Sequence, residues 1–145
     1  MEYIAGYAPS NDVSARTWQK DPAYAGGVPQ WCFAKGFDKF APIGPMIVAP
    51  SVVGAADNLQ LQTFVNGEER QNTNTDDLLF NVRAIVSFLS QGCTLKKGTV
   101  ILTGTPAGVA MGMADPKWLK DGDVVEVKIE HLGSCVNRMV YETIN

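Results

Sequence analysis

Asn58-Leu59-Gln60-Leu61-Gln62-Thr63-Phe64-Val65-Asn66-Gly67-Glu68-Glu69-Arg70 is the stretch that decides the fold class. Leu59, Leu61, Thr63 and Val65 point one way, and Gln60, Gln62 and Phe64 the other, the period of two that a half-buried strand requires. Asn66-Gly67 follows at once. Two residues that accept positive φ, set between alternating runs, are the strongest short hairpin signal. Glu68-Glu69-Arg70 then opens the return strand, so the centre of the chain reads as antiparallel sheet.

Downstream, residues 75–90 read as one helix. Leu78, Leu79, Val82, Ile85, Val86 and Leu89 share a face. Asn74 or Thr75 can cap it, Asp76 and Asp77 suit its positive end, and Gly92 can close it. Residues 99–102 read as a short buried strand entering the constrained loop Gly104-Thr105-Pro106-Ala107-Gly108. Residues 123–130 alternate as a strand, Leu132-Gly133-Ser134 turns, and 136–142 form the last strand. Upstream, residues 33–37 and 44–49 read as strands, 21–30 as a loop marked by Asp-Pro and Gly-Gly, and 14–20 as a short helix. Residues 2–8 are apolar almost throughout and read as a strand buried on both faces, an apolar edge that needs cover. The sum is α+β, rich in sheet, with one main helix at 75–90.

Composition narrows the function. The 145 residues suit one domain, with 46% apolar and 19% charged residues, enough to bury a core without staples. A net charge of -3 argues against nucleic acid, whose phosphates want a basic face. No apolar run reaches the roughly 18 residues of a membrane span, and the first residues lack a secretory pattern. Cys32, Cys93 and Cys135 form no metal or redox motif, and read as buried thiols.

Four clusters can carry chemistry. In Asn11-Asp12-Val13-Ser14-Ala15-Arg16 with Gln19, a carboxylate sits where an extended run enters a helical turn. Asp12 there is either a helix cap assisted by Ser14 and paired with Arg16, or part of a site, since strand ends aim side chains into open space. In Ala34-Lys35-Gly36-Phe37, a lysine amid apolar neighbours either faces solvent on an edge or meets a carboxylate or anion. Phe40-Ala41-Pro42-Ile43-Gly44-Pro45 fixes backbone shape. Thr103-Gly104-Thr105-Pro106-Ala107-Gly108 is either an ordinary turn or a place where backbone and the Thr105 hydroxyl approach a ligand. His131, the single histidine, lies between a strand and a turn and reads as structural. No nucleophile elbow, HExxH or CxxC is present.

Taken in order, Tyr3-Ile4-Ala5-Gly6-Tyr7, the Asn11–Arg16 block, Ala34–Phe37, Pro42–Pro45 and Gly104–Val109 resemble the fumarylacetoacetate hydrolase family across nearly the whole chain. The resemblance implies the sheet-rich β-roll or sandwich of that family's C-terminal catalytic domain. It implies Asp12 as a ligand of a divalent cation, Mg²⁺ first with Mn²⁺ or Ca²⁺ as substitutes. It makes Lys35 and Gln19 catalytic and substrate-binding, with Gly104, Thr105 and Pro106 lining the substrate's carboxylate end, and gives Arg16 the support of Asp12. The implied reaction is hydrolysis, decarboxylation or isomerisation of a small oxo or β-diketo acid through an enolate, in a homodimer, cytoplasmic or mitochondrial. The family's Glu-x-Glu ligands and its acid–base histidine belong to strands upstream of the Asp12 block. Adjacent Glu68 and Glu69 do not replace the former, nor His131 the latter. The chain is therefore expected to be a partial domain. The alternative is a non-catalytic relative that keeps the fold and binds oxo acids weakly.

Overall fold

A computed structural model describes residues 2–142, and the hairpin forms one side of its four-stranded sheet. Strand β1 (Gln60–Val65) turns through Asn66-Gly67 into β2 (Glu68–Asn74). Both turn residues take positive φ, 51° and 81°, as a two-residue primed turn demands. Strand β1 also pairs with β3 (Val124–Ile129), and β3 with β4 (Gly133–Arg138), giving the antiparallel order β2-β1-β3-β4.

Register puts the apolar side chains on one face. Leu61 lies opposite Ile129, Thr63 opposite Val127, Val65 opposite Val125, and Val127 opposite Cys135. Two small clusters grow there. One joins Ala56, Leu59 and Leu132 with Tyr7, Val48, Val53 and Ile129. The other joins Val125, Val127 and Cys135 with Val65, Leu119 and Met139. The opposite face is polar, and Gln60 and Gln62 hydrogen-bond Asn72 and Glu69 across the β1–β2 pair. Strand β2 carries a bulge: Thr63 pairs with Gln71 and Phe64 with Glu69, leaving Arg70 as the extra residue. Such an insertion frees one peptide from the ladder and bends the strand.

Against this sheet lies an irregular ribbon. Residues 7–13 run antiparallel to 40–48, tied by Tyr7 N to Val48 O (2.9 Å), Gly44 N to Pro9 O (3.1 Å), Asn11 N to Pro42 O (3.2 Å) and Val13 N to Phe40 O (3.0 Å). Between the two arms sit α1 (Arg16–Lys20), α2 (Pro22–Ala25) and α3 (Trp31–Lys35), and α4 (Pro50–Val53) follows the second arm. Tyr7 and Val48 carry the ribbon onto the first cluster. Helix α5 (Val82–Leu89) closes the set, and no helix among the described residues is long and apolar enough to cross a membrane.

Several local expectations change. Residues 75–90 are not one helix. A 3₁₀ turn at Thr75–Asp77 stops when Leu78 becomes extended (φ -59°, ψ 124°), and α5 starts afresh because the Asn81 side chain caps Ala84 N at 2.9 Å. Leu79, 94% exposed, owes its place in the pattern to coincidence. Residues 33–35 form the end of α3 and Gly36 caps it, so 33–37 is not a strand; so short an apolar run does not distinguish helix from strand. Residues 2–8 bridge the chain at Tyr7 alone, and Tyr3 is exposed. With one neighbour instead of two, that segment cannot be buried on both faces. Residues 44–49 likewise meet the other arm in a single isolated bridge, at Val48, and 99–102 form no strand. The last strand begins at Gly133, not 136, because the turn is made by His131 at φ 62°. Cys32 and Cys93 are exposed, and only Cys135 is buried as expected.

Candidate active site

Asp12 and Lys35 meet. Residues 11–13 are extended and held to residues 40–42, while Ala15 N donates to Ala34 O at 2.9 Å and fixes the start of α1 against α3. Trp18, Tyr24, Phe33, Phe37 and Phe40 stack between these helices, with ring centroids 4.5–5.9 Å apart. Each such pair contributes about 0.5–1.5 kcal/mol beyond its buried area. The cluster makes α1 and α3 one body, and Lys35, in the last turn of α3, is aimed back at the 11–14 segment. Its Nζ lies 2.7 Å from Asp12 Oδ2 and 2.7 Å from Ser14 Oγ, and 5.6 Å from the centroid of Trp31. The pair is only partly buried, at 30% and 35% side-chain exposure, so screening keeps its contribution to stability small.

Asp12 is therefore not the cap of α1. The N-cap of that helix is Ala15, which offers no side-chain hydrogen bond. Nor does Arg16 support Asp12: its Nη1 donates to Gln19 Oε1 at 2.6 Å. Gln19 is 1% exposed, and its Nε2 is buried with no partner among the described residues. With its oxygen taken by Arg16, the Gln19 amide has its donors to spare.

Thr105 stands on a separate loop. Gln71 Nε2 donates to Thr105 Oγ1 at 2.9 Å and to Pro106 O at 3.1 Å. Gly104 (φ 110°) and Gly108 (φ 106°) hold backbone that L side chains avoid. Gly108 also lies so close to the Arg70 carbonyl that a Cβ would overlap it. None of the hydrogen bonds or ion pairs of the described residues joins this loop to Asp12 or Lys35. Sequence reasoning did not single out Gln71, Trp31 or the Ser14–Lys35 contact. Ser14 lay inside the Asp12 motif, whereas Gln71 carries no sequence signal beyond its place on the return strand.

An open cleft of about 400 Å³ lies at the hairpin end of the sheet, lined in part by Asn66, Glu68, Arg70, Lys117, Trp118 and Asp123. Its two carboxylates are both engaged. Lys117 lies 2.7 Å from Glu68 and holds that carboxyl below its ordinary value. Asn66 does the same for Asp123 by hydrogen bonding at 2.8 Å. His131 is exposed and 3.6 Å from Glu130.

No three His, Cys, Asp or Glu side chains of the described residues gather to hold a metal ion, and one oxygen of Asp12 faces an ammonium. By themselves the described residues do not fit a divalent cation, which needs several oxygen ligands.

A lysine–carboxylate pair, a buried amide with spare donors and a glycine-bounded loop are thus carried on one α+β scaffold. Comparison with known proteins identifies the family: residues 1–140 match the fumarylacetoacetate hydrolase C-terminal family, and the chain belongs to it. It is 40% identical over 140 residues to "Oxaloacetate tautomerase Fahd2a, mitochondrial" of Rattus norvegicus, covering 97% of this chain and 43% of that protein. The fumarylacetoacetate hydrolase of Exiguobacterium antarcticum superimposes with a TM-score of 0.88 at 41% identity, over 97% of this chain and 48% of the other. Fumarylpyruvate hydrolase from Pseudomonas aeruginosa, solved with Mn²⁺ and pyruvate, gives 0.82 at 33% identity, over 97% and 56%. The family thus includes a divalent-metal protein. The chain spans about half the length of the relatives it matches.

Proposed function

We propose that this chain supplies one part of an active site that converts a small oxo acid through its enolate, by isomerisation, hydrolysis or decarboxylation. The observation that carries the reading is the Lys35 ammonium, held at 2.7 Å by both Asp12 and Ser14. Negative charge grows on a substrate's enolate oxygen as the bond breaks, and a preplaced ammonium gains most at that moment. The spare donors of Gln19 suit a neighbouring carbonyl. The Thr105 hydroxyl and the backbone N–H of Gly104 suit the carboxylate, with Pro106 setting the shape of the loop. Asp12 is the one residue here suited to a shared divalent cation, with Mg²⁺ the ion expected. Relatives support the substrate class: one is named for oxaloacetate, another holds pyruvate. A homodimer, and a mitochondrial or cytoplasmic setting, belong to the same proposal.

Steady-state kinetics with oxaloacetate and fumarylpyruvate across a Mg²⁺ series test it. Lys35→Met lowers turnover by a factor on the order of 10² or more with a smaller change in KM, and added metal does not restore it. Asp12→Asn weakens metal affinity and is partly rescued by high Mg²⁺. Near-normal turnover of Lys35→Met returns the lysine to a structural role. The second reading, a non-catalytic oxo-acid binder, is favoured by the single carboxylate at the site and its engagement by Lys35. Binding of oxo acid without turnover of either substrate by the whole protein selects it.

A further inference from the structure

We propose that Gln71, on the bulged strand β2, is a positioning residue that fixes the Thr105 hydroxyl as a hydrogen-bond donor to a ligand carboxylate. The inference rests on the oxo-acid reading of the site and names a residue outside the motifs that suggested it. Its basis is the polarity of two hydrogen bonds. The Pro106 carbonyl can only accept, so the Gln71 group beside it, 3.1 Å away, must be the NH₂ end of the amide. The same nitrogen lies 2.9 Å from Thr105 Oγ1. Thr105 therefore accepts from Gln71, and its own proton must be directed elsewhere. Among the described residues it donates to no protein group. A hydroxyl whose lone pair is occupied by a donor is a better donor in its turn, and an acceptor-only carboxylate is its natural partner.

The backbone enforces the same arrangement. The bulge takes Arg70 out of the β1–β2 pairing, and Gly108 packs directly on the Arg70 carbonyl with no room for a Cβ. Two adjacent residues of β2 thus hold two points of one loop, Gln71 at Thr105 and Pro106, Arg70 at Gly108. A strand anchored in the sheet positions a side chain more sharply than a free loop does.

Nitrogen-15 NMR and oxalate titration, in the whole protein with Mg²⁺ in excess, test the assignment. Both Gln71 side-chain amide protons are expected to exchange slowly, and Thr105→Val is expected to release one of them. Exchange of both at the rate of a free glutamine overturns the proposal, whatever the site binds. Thr105→Val is expected to weaken oxalate about 10-fold, the value of one hydrogen bond to a charged group, while Thr105→Ser stays within about 3-fold. Gln71→Glu repels the Pro106 carbonyl and draws the hydroxyl proton to itself. It is expected to weaken oxalate as Thr105→Val does, and to add little in the double variant. Gln71→Met, which keeps length without charge, guards against misfolding and is expected to weaken oxalate several-fold. If Thr105→Val weakens binding but neither Gln71 variant does, the proposal falls and the oxo-acid reading stands. If the unmodified protein binds no oxalate, or Thr105→Val leaves binding unchanged, the reading of the site falls and the proposal with it.

Discussion

At the scale of single residues, burial separates side chains that composition treats alike. Cys135 lies in the inner cluster beside Val125 and Val127, and burial pushes its thiol above the ordinary value of 9.0. Cys32 and Cys93 face solvent. Thiolate is the reactive form, so a thiol reagent near neutral pH is expected to label Cys32 and Cys93 in the native protein and Cys135 only on unfolding. Peptide mass mapping after brief labelling reads this directly, and early modification of Cys135 would contradict the packing. The site residues were legible to unequal degrees. Asp12 stands out as a carboxylate where an extended run enters a helical turn, and Lys35 as a charge amid apolar neighbours that needs a partner; each is the other's. Arg16 was misread because sequence proximity to Asp12 says nothing of direction: a helical turn puts it over Gln19, three residues on. Gln71 was not legible at all, since its meaning lies in a loop 34 residues away.

Elements show the same division between local and distant causes. The β1–β2 hairpin could be read because its turn chemistry and its alternation agree. The helix at 75–90 could not, because its apolar spacing is helical while Asn81 offers the chain a second start. Periodicity records which residues could share a face, and a cap decides where a helix begins. Glycines of the Thr105 loop give a sharper test. Gly108 combines φ 106° with contact on the Arg70 carbonyl, so Gly108→Ala is expected to destabilise by about 2–4 kcal/mol, from backbone strain and overlap together. Gly92, with nothing within 4 Å of a Cβ, is the control, and its alanine variant is expected to stay within about 0.5 kcal/mol. Denaturant midpoints of the two variants decide whether the loop is docked on β2 as described.

For the whole molecule, the inner face of the sheet holds two small clusters, and much apolar surface is left outside them. Trp31, Phe33, Ile47, Val52, Phe80 and Phe88 are all more than half exposed. Uncovered apolar surface favours association, and the isolated chain is expected to self-associate. Sedimentation velocity over a concentration series reads it, and a monomer at the highest concentration would argue otherwise. The donor set makes a second expectation. With Asp12 alone to offer, the isolated chain is expected to bind Mg²⁺ more weakly than about 1 mM by calorimetry. A tight, stoichiometric site would mean that further ligands had been overlooked.

Chain entropy adds something about the order of events. The Asp12–Lys35 pair closes a span of 23 residues, whereas the Gln60–Glu130 bond beside the β1–β3 ladder closes 70. The longer closure costs about 1 kcal/mol more in loop entropy. It must also await strand pairing across the whole middle of the chain, the slow kind of contact. Segment 11–35, with its stacked aromatics, is therefore a short-range unit able to assemble while the sheet is still open. The lysine and the carboxylate would then meet before any pocket exists around them. A lesion in the sheet would leave this pair formed but facing water, so loss of activity and loss of the pair would come apart along the folding path.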